Sequence, residues 1–188
     1  MSIHDKHKEA KFETEIVEYL TSKDWIEGKS NGYDKNLALY TEDLISYIKN
    51  TQSDAYEKMA KREGLKTDEV LANYVAKELD KEGSLYFLRR EIKYIGSKFK
   101  LCQFKPELDN HDLQKKYDAN ILRVVRQVYY SNEDKSSIDL VLFLNGIPLA
   151  TFELKTDFTQ NVYDAIKQYK TDRLPKGEPL LEFKKRCL

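Results

Sequence analysis

Residues 137–155 read SIDLVLFLNGIPLATFELK. Two apolar, β-rich runs flank Asn145-Gly146, the dipeptide that most strongly marks a tight hairpin. Asp139 lies in a run that is otherwise apolar on both faces, Ile138 to Leu144. Such a strand is central to a sheet, and a carboxylate in it is costly unless it is paired or metal-bound. On the returning strand Glu153 and Lys155 stand at i and i+2, so both point to one face, with Phe152 and Leu154 on the other. Two carboxylates and an ammonium on one sheet face suit metal-assisted phosphodiester hydrolysis. Hard oxygens hold Mg²⁺, and a lysine orients water or neutralises developing charge. The plainer alternative is a solvated E-x-K face, with Asp139 capping the strand entry.

The turn decides whether these groups converge. A two-residue loop, 145–146, sets residue 139 opposite 152 and puts Asp139 on the wrong face. A three-residue loop, 144–146, with Gly146 left-handed, sets 139 opposite 151. Asp139 is then diagonal to Glu153, roughly 7–8 Å away. The chemistry therefore predicts an odd-length loop or a bulge in this hairpin.

Outward from it, a helix is expected over about 160–173, with Val162, Ala165, Ile166 and Tyr169 on one stripe and Lys167, Lys170 and Arg173 on one face. Upstream, residues 1–82 read as helical. The apolar stripe Phe12, Ile16, Val17, Leu20 is followed by a second at 37–48, with Thr41 or Asn36 as its cap, and by helices at 52–63 and 67–80 split by Gly64. Residues 83–188 read as an α/β core with strands in LYFLRREIKYI, KFKLCQF, ILRVVRQVYY, SIDLVLFL and IPLATFELK. One more strand is expected past Leu188, so this core is read as cut short. Glu13 lies on the buried stripe of the first helix and is a candidate to reach a metal through water. Arg123, Arg126 and Gln127, beside Tyr129 and Tyr130, are weighed as contacts for phosphates or bases, but the preferred reading is a strand that alternates solvent-facing arginines with core valines. Gly28-Lys29-Ser30 reads as a helix-end loop, because the rest of a phosphate-binding loop is missing.

The chain has 188 residues, 40% of them apolar, and 32 basic against 32 acidic side chains. That length can bury a core, and zero net charge excludes a uniformly basic nucleic-acid binder while leaving room for a local basic surface. Two cysteines are too few for a disulfide framework, so a cytoplasmic setting is expected. No apolar run is long enough for a membrane helix.

The pattern D-(x)13-E-x-K on a hairpin followed by a helix resembles the PD-(D/E)xK nuclease core. The surrounding FETEIVEYL (12–20), YDKNLALYTEDLISYI (33–48), KELDKEGSLYFLRR (77–90), FKLCQFKP (99–106), RVVRQVYYS (123–131) and DAIKQYKTDRLPKGEPLLEFKKR (164–186) resemble the N-terminal nuclease domain of the type I restriction enzyme R subunit. This resemblance implies an α/β fold, with a mixed restriction-endonuclease-like sheet flanked by helices. It implies Asp139 and Glu153 as metal ligands, the Leu154 carbonyl as a third, and Lys155 as the catalytic lysine. It also implies Mg²⁺ (Mn²⁺ as substitute), double-stranded DNA as substrate, and modification and specificity subunits as partners. ATP belongs to a translocase that follows in such chains. The sequence departs from the pattern at Ile138, where the motif has proline. It departs again at Gln168, which is followed at the Gln-x-x-x-Tyr spacing by Asp172, the tyrosine being Tyr169. Gln168, Tyr169, Lys167, Lys170 and Arg173 are candidates to contact DNA or support the site. A module of the same fold serving assembly or DNA binding, and a stand-alone junction or repair nuclease, are the alternatives.

Overall fold

The computed structural model describes residues 3–131, 134–154, 162–167, 177–182 and 185–187. It is mixed α/β, consistent with a nuclease-like fold, and its N-terminal region is mainly helical. Helix α1 (Ile3–Thr21) leads into a short strand β1 (Ile26–Gly28). Helices α2 (Thr41–Thr51), α3 (Ser53–Glu63), α4 (Thr67–Glu82) and α5 (Ser84–Arg89) follow. The hairpin β2 (Glu91–Tyr94) and β3 (Ser97–Lys100) precedes α6 (His111–Asp118). The main sheet comprises β1, β4 (Leu122–Tyr129), β5 (Ser137–Leu144) and β6 (Ile147–Phe152), and α7 (Val162–Lys167) comes after it.

In that sheet the order is β1-β4-β5-β6, with β1 parallel to β4 and the other pairs antiparallel. Its two faces are covered differently. Val17 of α1 packs on Val124 and Leu140, with Ile16, Leu20 and Leu142 at the margin. On the other face Val125, Val141 and Phe143 meet Tyr33, Tyr40 and Leu180. A third cluster joins α2, α4 and α5 to the β2–β3 hairpin through Leu44, Ile48, Leu71, Leu79, Ile92 and Phe99. Burying such apolar surface drives assembly at roughly 25 cal/mol per Å². An ion pair ties the helices to the sheet: Arg123 of β4 donates to both carboxylate oxygens of Asp43 on α2, at 2.5 and 2.7 Å. Its guanidinium also lies over the Tyr40 ring, 4.4 Å from the centroid.

Several local expectations are corrected. LYFLRR is helix α5, not strand; Phe87 and Leu88 are buried while Arg89 and Arg90 are exposed, which is helical patterning. Asn110 caps an unforeseen helix, α6, by accepting from the Leu113 N–H, and His111 is its first residue. Helix α2 begins after Tyr40 with no side-chain cap from Thr41 or Asn36, and the Tyr40 N–H donates to the Gly146 carbonyl across the fold. Gly28 belongs to β1, where a Cβ would lie 2.6 Å from the Arg123 side chain. The expected strand past residue 188 falls outside the chain, and residues 177–182 form turns.

Candidate active site

The site begins at a break in β4. Gln127 has φ of +48°, a left-handed conformation that a side-chain-bearing residue rarely adopts inside a strand. Arg126 pairs with Leu140 and Val128 with Ile138, but Gln127 and Asp139, facing each other between them, form no ladder pair. Side-chain alternation slips at this point. Val124 packs on the α1 side and Val125 on the other, yet Val128 shares the side of Val125. The slip lets two consecutive residues, Arg126 and Gln127, both reach α1. Arg126 donates to Thr14 Oγ1 at 3.1 Å, and its guanidinium lies 3.6 Å from Glu13 and 2.8 Å from Glu27. The Gln127 amide donates to Glu13 Oε2 at 3.1 Å and, at 3.4 Å, to Asp139 Oδ1. Ser137 Oγ donates to its Oε1 at 3.2 Å, and Ser30 Oγ donates to its backbone carbonyl at 2.7 Å.

The hairpin resolves the register question by a route that differs from the three-residue loop. The loop is two residues, Asn145 at φ +49° and Gly146 at +80°, with Leu144 opposite Ile147. A bulge follows: Phe143 faces Pro148 but Leu142 faces Ala150, so Leu149 is the extra residue. Beyond it Leu140 faces Phe152, and the next pair outward in that register is Asp139 with Glu153. The expected bulge is present, and the register it leaves, extended one step past Leu140 and Phe152, leads to these carboxylates as an opposite pair instead of a diagonal one. Strand β6 ends at Phe152, so Glu153 follows the strand instead of lying within it. The Leu154 N–H turns back to donate to Asp139 Oδ2 at 2.7 Å, and Leu154 itself is buried against Val17 and Leu140.

Glu13 is enclosed, its side chain 13% exposed. Desolvation raises its pKa above the ordinary 4.5, and the charges of Asp139 and Glu27 add to that, against the lowering effects of the Gln127 hydrogen bond and of Arg126. The oxygen-donor chemistry of this corner fits a hard divalent cation, since carboxylates converge where negative charge is only partly compensated. Among the described residues, however, no three His, Cys, Asp or Glu side chains stand close enough to hold a metal ion.

The structure therefore brings Glu13 and Asp139 together around Gln127. Lys155, Gln168, Tyr169, Lys170 and Arg173 lie outside the described residues, and Lys167 is exposed at the end of α7. Arg123 and Arg126, expected to face solvent, are instead held in ion pairs. Gln127, weighed only as a phosphate or base contact, is the residue whose place between the carboxylates sequence reasoning misses. Its one legible signal is that antiparallel pairing of ILRVVRQVYY with SIDLVLFL can set it across from Asp139; nothing local announces its left-handed backbone. No helix among the described residues is long and apolar enough to cross a membrane.

The family model for the type I restriction enzyme R protein N terminus matches residues 7–185. No curated protein and no solved structure matches the chain. The chain belongs to the family of type I restriction enzyme R protein N-termini.

Proposed function

We propose that this member of the R protein N-terminal family is a Mg²⁺-dependent endonuclease domain that hydrolyses phosphodiester bonds of double-stranded DNA. The observation that carries the reading is the meeting of Glu13 and Asp139 at the slipped pair 127/139, with Glu153 next in register across the hairpin. Asp139 and Glu153 would hold the cation, with the Leu154 carbonyl as a further ligand and Glu13 acting through water. The chemistry such an ion would supply when bound is polarisation of the scissile phosphate and a lowered pKa for water. The protein's own share is positioning. The Leu154 N–H fixes one Asp139 oxygen, the Gln127 amide steers the other, and Lys155 orients the attacking water or neutralises charge on the phosphate. Lys167, Gln168, Tyr169, Lys170 and Arg173, following the hairpin, contact the DNA backbone or brace the site. Sequence recognition belongs to separate modification and specificity subunits, and ATP to a translocase carried elsewhere, in a cytoplasmic complex.

A second reading, a nuclease-fold module for assembly or DNA binding without cleavage, draws on the absence of a three-ligand cluster among the described residues. Calorimetric titration of the chain with Mn²⁺ separates the two. Binding that disappears in both Asp139→Ala and Glu153→Ala is the expected result. No binding by the wild type at millimolar Mn²⁺ leaves the assembly module as the reading.

A further inference from the structure

The β2–β3 hairpin carries a surface that the reading above does not use. Ile92 and Phe99 are fully buried against α2 and α4, so the alternate residues Glu91, Lys93, Lys98 and Lys100 form the exposed outer face. Pairing sets Glu91 opposite Lys100 and Lys93 directly opposite Lys98. Like charges facing each other across strands are destabilising, and the two-strand sheet has no other strand to relieve them. The single carboxylate of this face lies 3.7 Å from Lys98. Lys93 has no ion pair among the described residues, and the Lys100 ammonium reaches only Gln103 Oε1, at 3.4 Å.

Two further cations extend the face around the turn. Lys58 and Arg62 of α3 donate to the carbonyls of Gly96 and Ile95, at 2.8 and 3.5 Å, instead of to carboxylates. Five positive charges thus gather on one hairpin of a chain whose net charge is zero, against two negative ones, Glu91 and the Glu63 carboxylate that accepts from the Tyr94 hydroxyl at 2.9 Å. Ile95, at the tip, keeps a left-handed φ of +37° while 60% exposed. Ile95 and Gly96 form the two-residue turn, which requires a left-handed backbone at both positions, and a β-branched residue is disfavoured there.

We propose that the outer face of the β2–β3 hairpin, with Lys58 and Arg62, is a second contact for the phosphate backbone of duplex DNA, apart from the Asp139 corner. It rests on the reading of the chain as a DNA-acting domain. Lysines two apart on one strand stand about 6.6 Å from each other, a reach that lets neighbouring ammonium groups meet successive phosphates. The contact is electrostatic and indifferent to sequence, because lysines on a strand face supply charge without the forked geometry that reads bases.

The test is fluorescence anisotropy with a labelled 30-base-pair duplex and the whole 188-residue chain, in EDTA, across a salt series. The variants are Lys93→Glu/Lys98→Glu and the milder Lys93→Gln/Lys98→Gln, compared with a control of equal charge change, Lys77→Glu/Lys115→Glu, on exposed helix positions. Expected is a tenfold or greater loss of affinity in the hairpin glutamate variant. The glutamine variant should show a slope of log affinity against log salt shallower by about 2, one unit for each phosphate that is no longer neutralised. Equal losses in the control, unchanged binding in both hairpin variants, or no duplex binding by the wild type would each overturn the proposal. Because EDTA removes divalent ions, failure here leaves the metal titration untouched, and failure of that titration leaves this measurement readable.

Discussion

Gln127 holds a conformation that costs a non-glycine residue about 1–3 kcal/mol, and it does so with its amide between two carboxylates. The arrangement makes Glu13 a usable reporter. Its folded pKa is raised, so between the ordinary 4.5 and the raised value the native state binds more protons than the unfolded one. Stability therefore falls as pH rises through that window, and the penalty is complete above it. Glu13→Gln removes the titration. Paired denaturant melts should show the variant's stability relative to wild type improving as pH rises from about 4.5 toward neutrality, then levelling. A relative stability that instead declines over that range contradicts the assignment. Replacing Gln127 by glycine should relieve the backbone while withdrawing the hydrogen bond that lowers the Glu13 pKa. Carboxyl NMR should then find Glu13 titrating still higher, and a downward move would sink the role given to Gln127.

At the scale of elements, the hairpin was legible in its turn and in its need for a bulge or an odd loop, and illegible in where the bulge falls. Asn145-Gly146 has the backbone that this dipeptide favours, and its tip is locked by the fold. Asn145 is buried, donating to the Leu101 carbonyl and Asn120 Oδ1 and accepting from the Ile121 N–H. A Cβ on Gly146 would stand 2.2 Å from the Tyr40 carbonyl. Nothing in IPLATF marks Leu149 as the unpaired residue, since bulges answer to packing between elements, not to local propensity. The same holds for LYFLRR, where aromatic content favours strand and burial against α4 imposes helix. The bulge absorbs one residue, and that is what carries the ladder on toward Asp139 and Glu153. Deleting Leu149 should therefore remove the bulge and leave a regular two-residue hairpin in which Leu142 still faces Ala150 and Leu140 still faces Phe152, with Asp139 and Glu153 next in register. The expected outcome is a folded chain, judged by circular dichroism, that keeps its Mn²⁺ affinity. Loss of Mn²⁺ binding by a folded deletion variant would tie the site to the local distortion of the bulge and not to the register it sets.

Across the whole molecule, the far end of the sequence is fastened to its front half by one cation. Arg186 is completely buried, donating to the carbonyls of Leu37 at 2.9 Å and of Ala76 at 3.3 Å, with Asp80 2.8 Å away. Next to it the Lys185 carbonyl accepts from both the N–H and the hydroxyl of Ser84, and Leu180 packs with Tyr33, Tyr40 and Phe143. In the sequence EPLLEFKKRCL reads as the start of another element, and no local pattern states which of its cations goes inside. Burial depresses the Arg186 pKa against the pull of Asp80, yet arginine cannot shed its proton in a protein. The two partners should therefore respond unequally to mutation. Asp80 is 42% exposed and can be hydrated once its partner is gone. Arg186→Met then costs about 1–3 kcal/mol, mainly for the Leu37 carbonyl left without its donors. Asp80→Ala leaves a buried guanidinium without a counter-charge and costs about 3–5 kcal/mol. Urea melts of the two variants should rank them in that order. A reversed order would mean that water reaches the guanidinium when Asp80 is truncated, and that the tail is held by the carbonyl contacts more than by the ion pair.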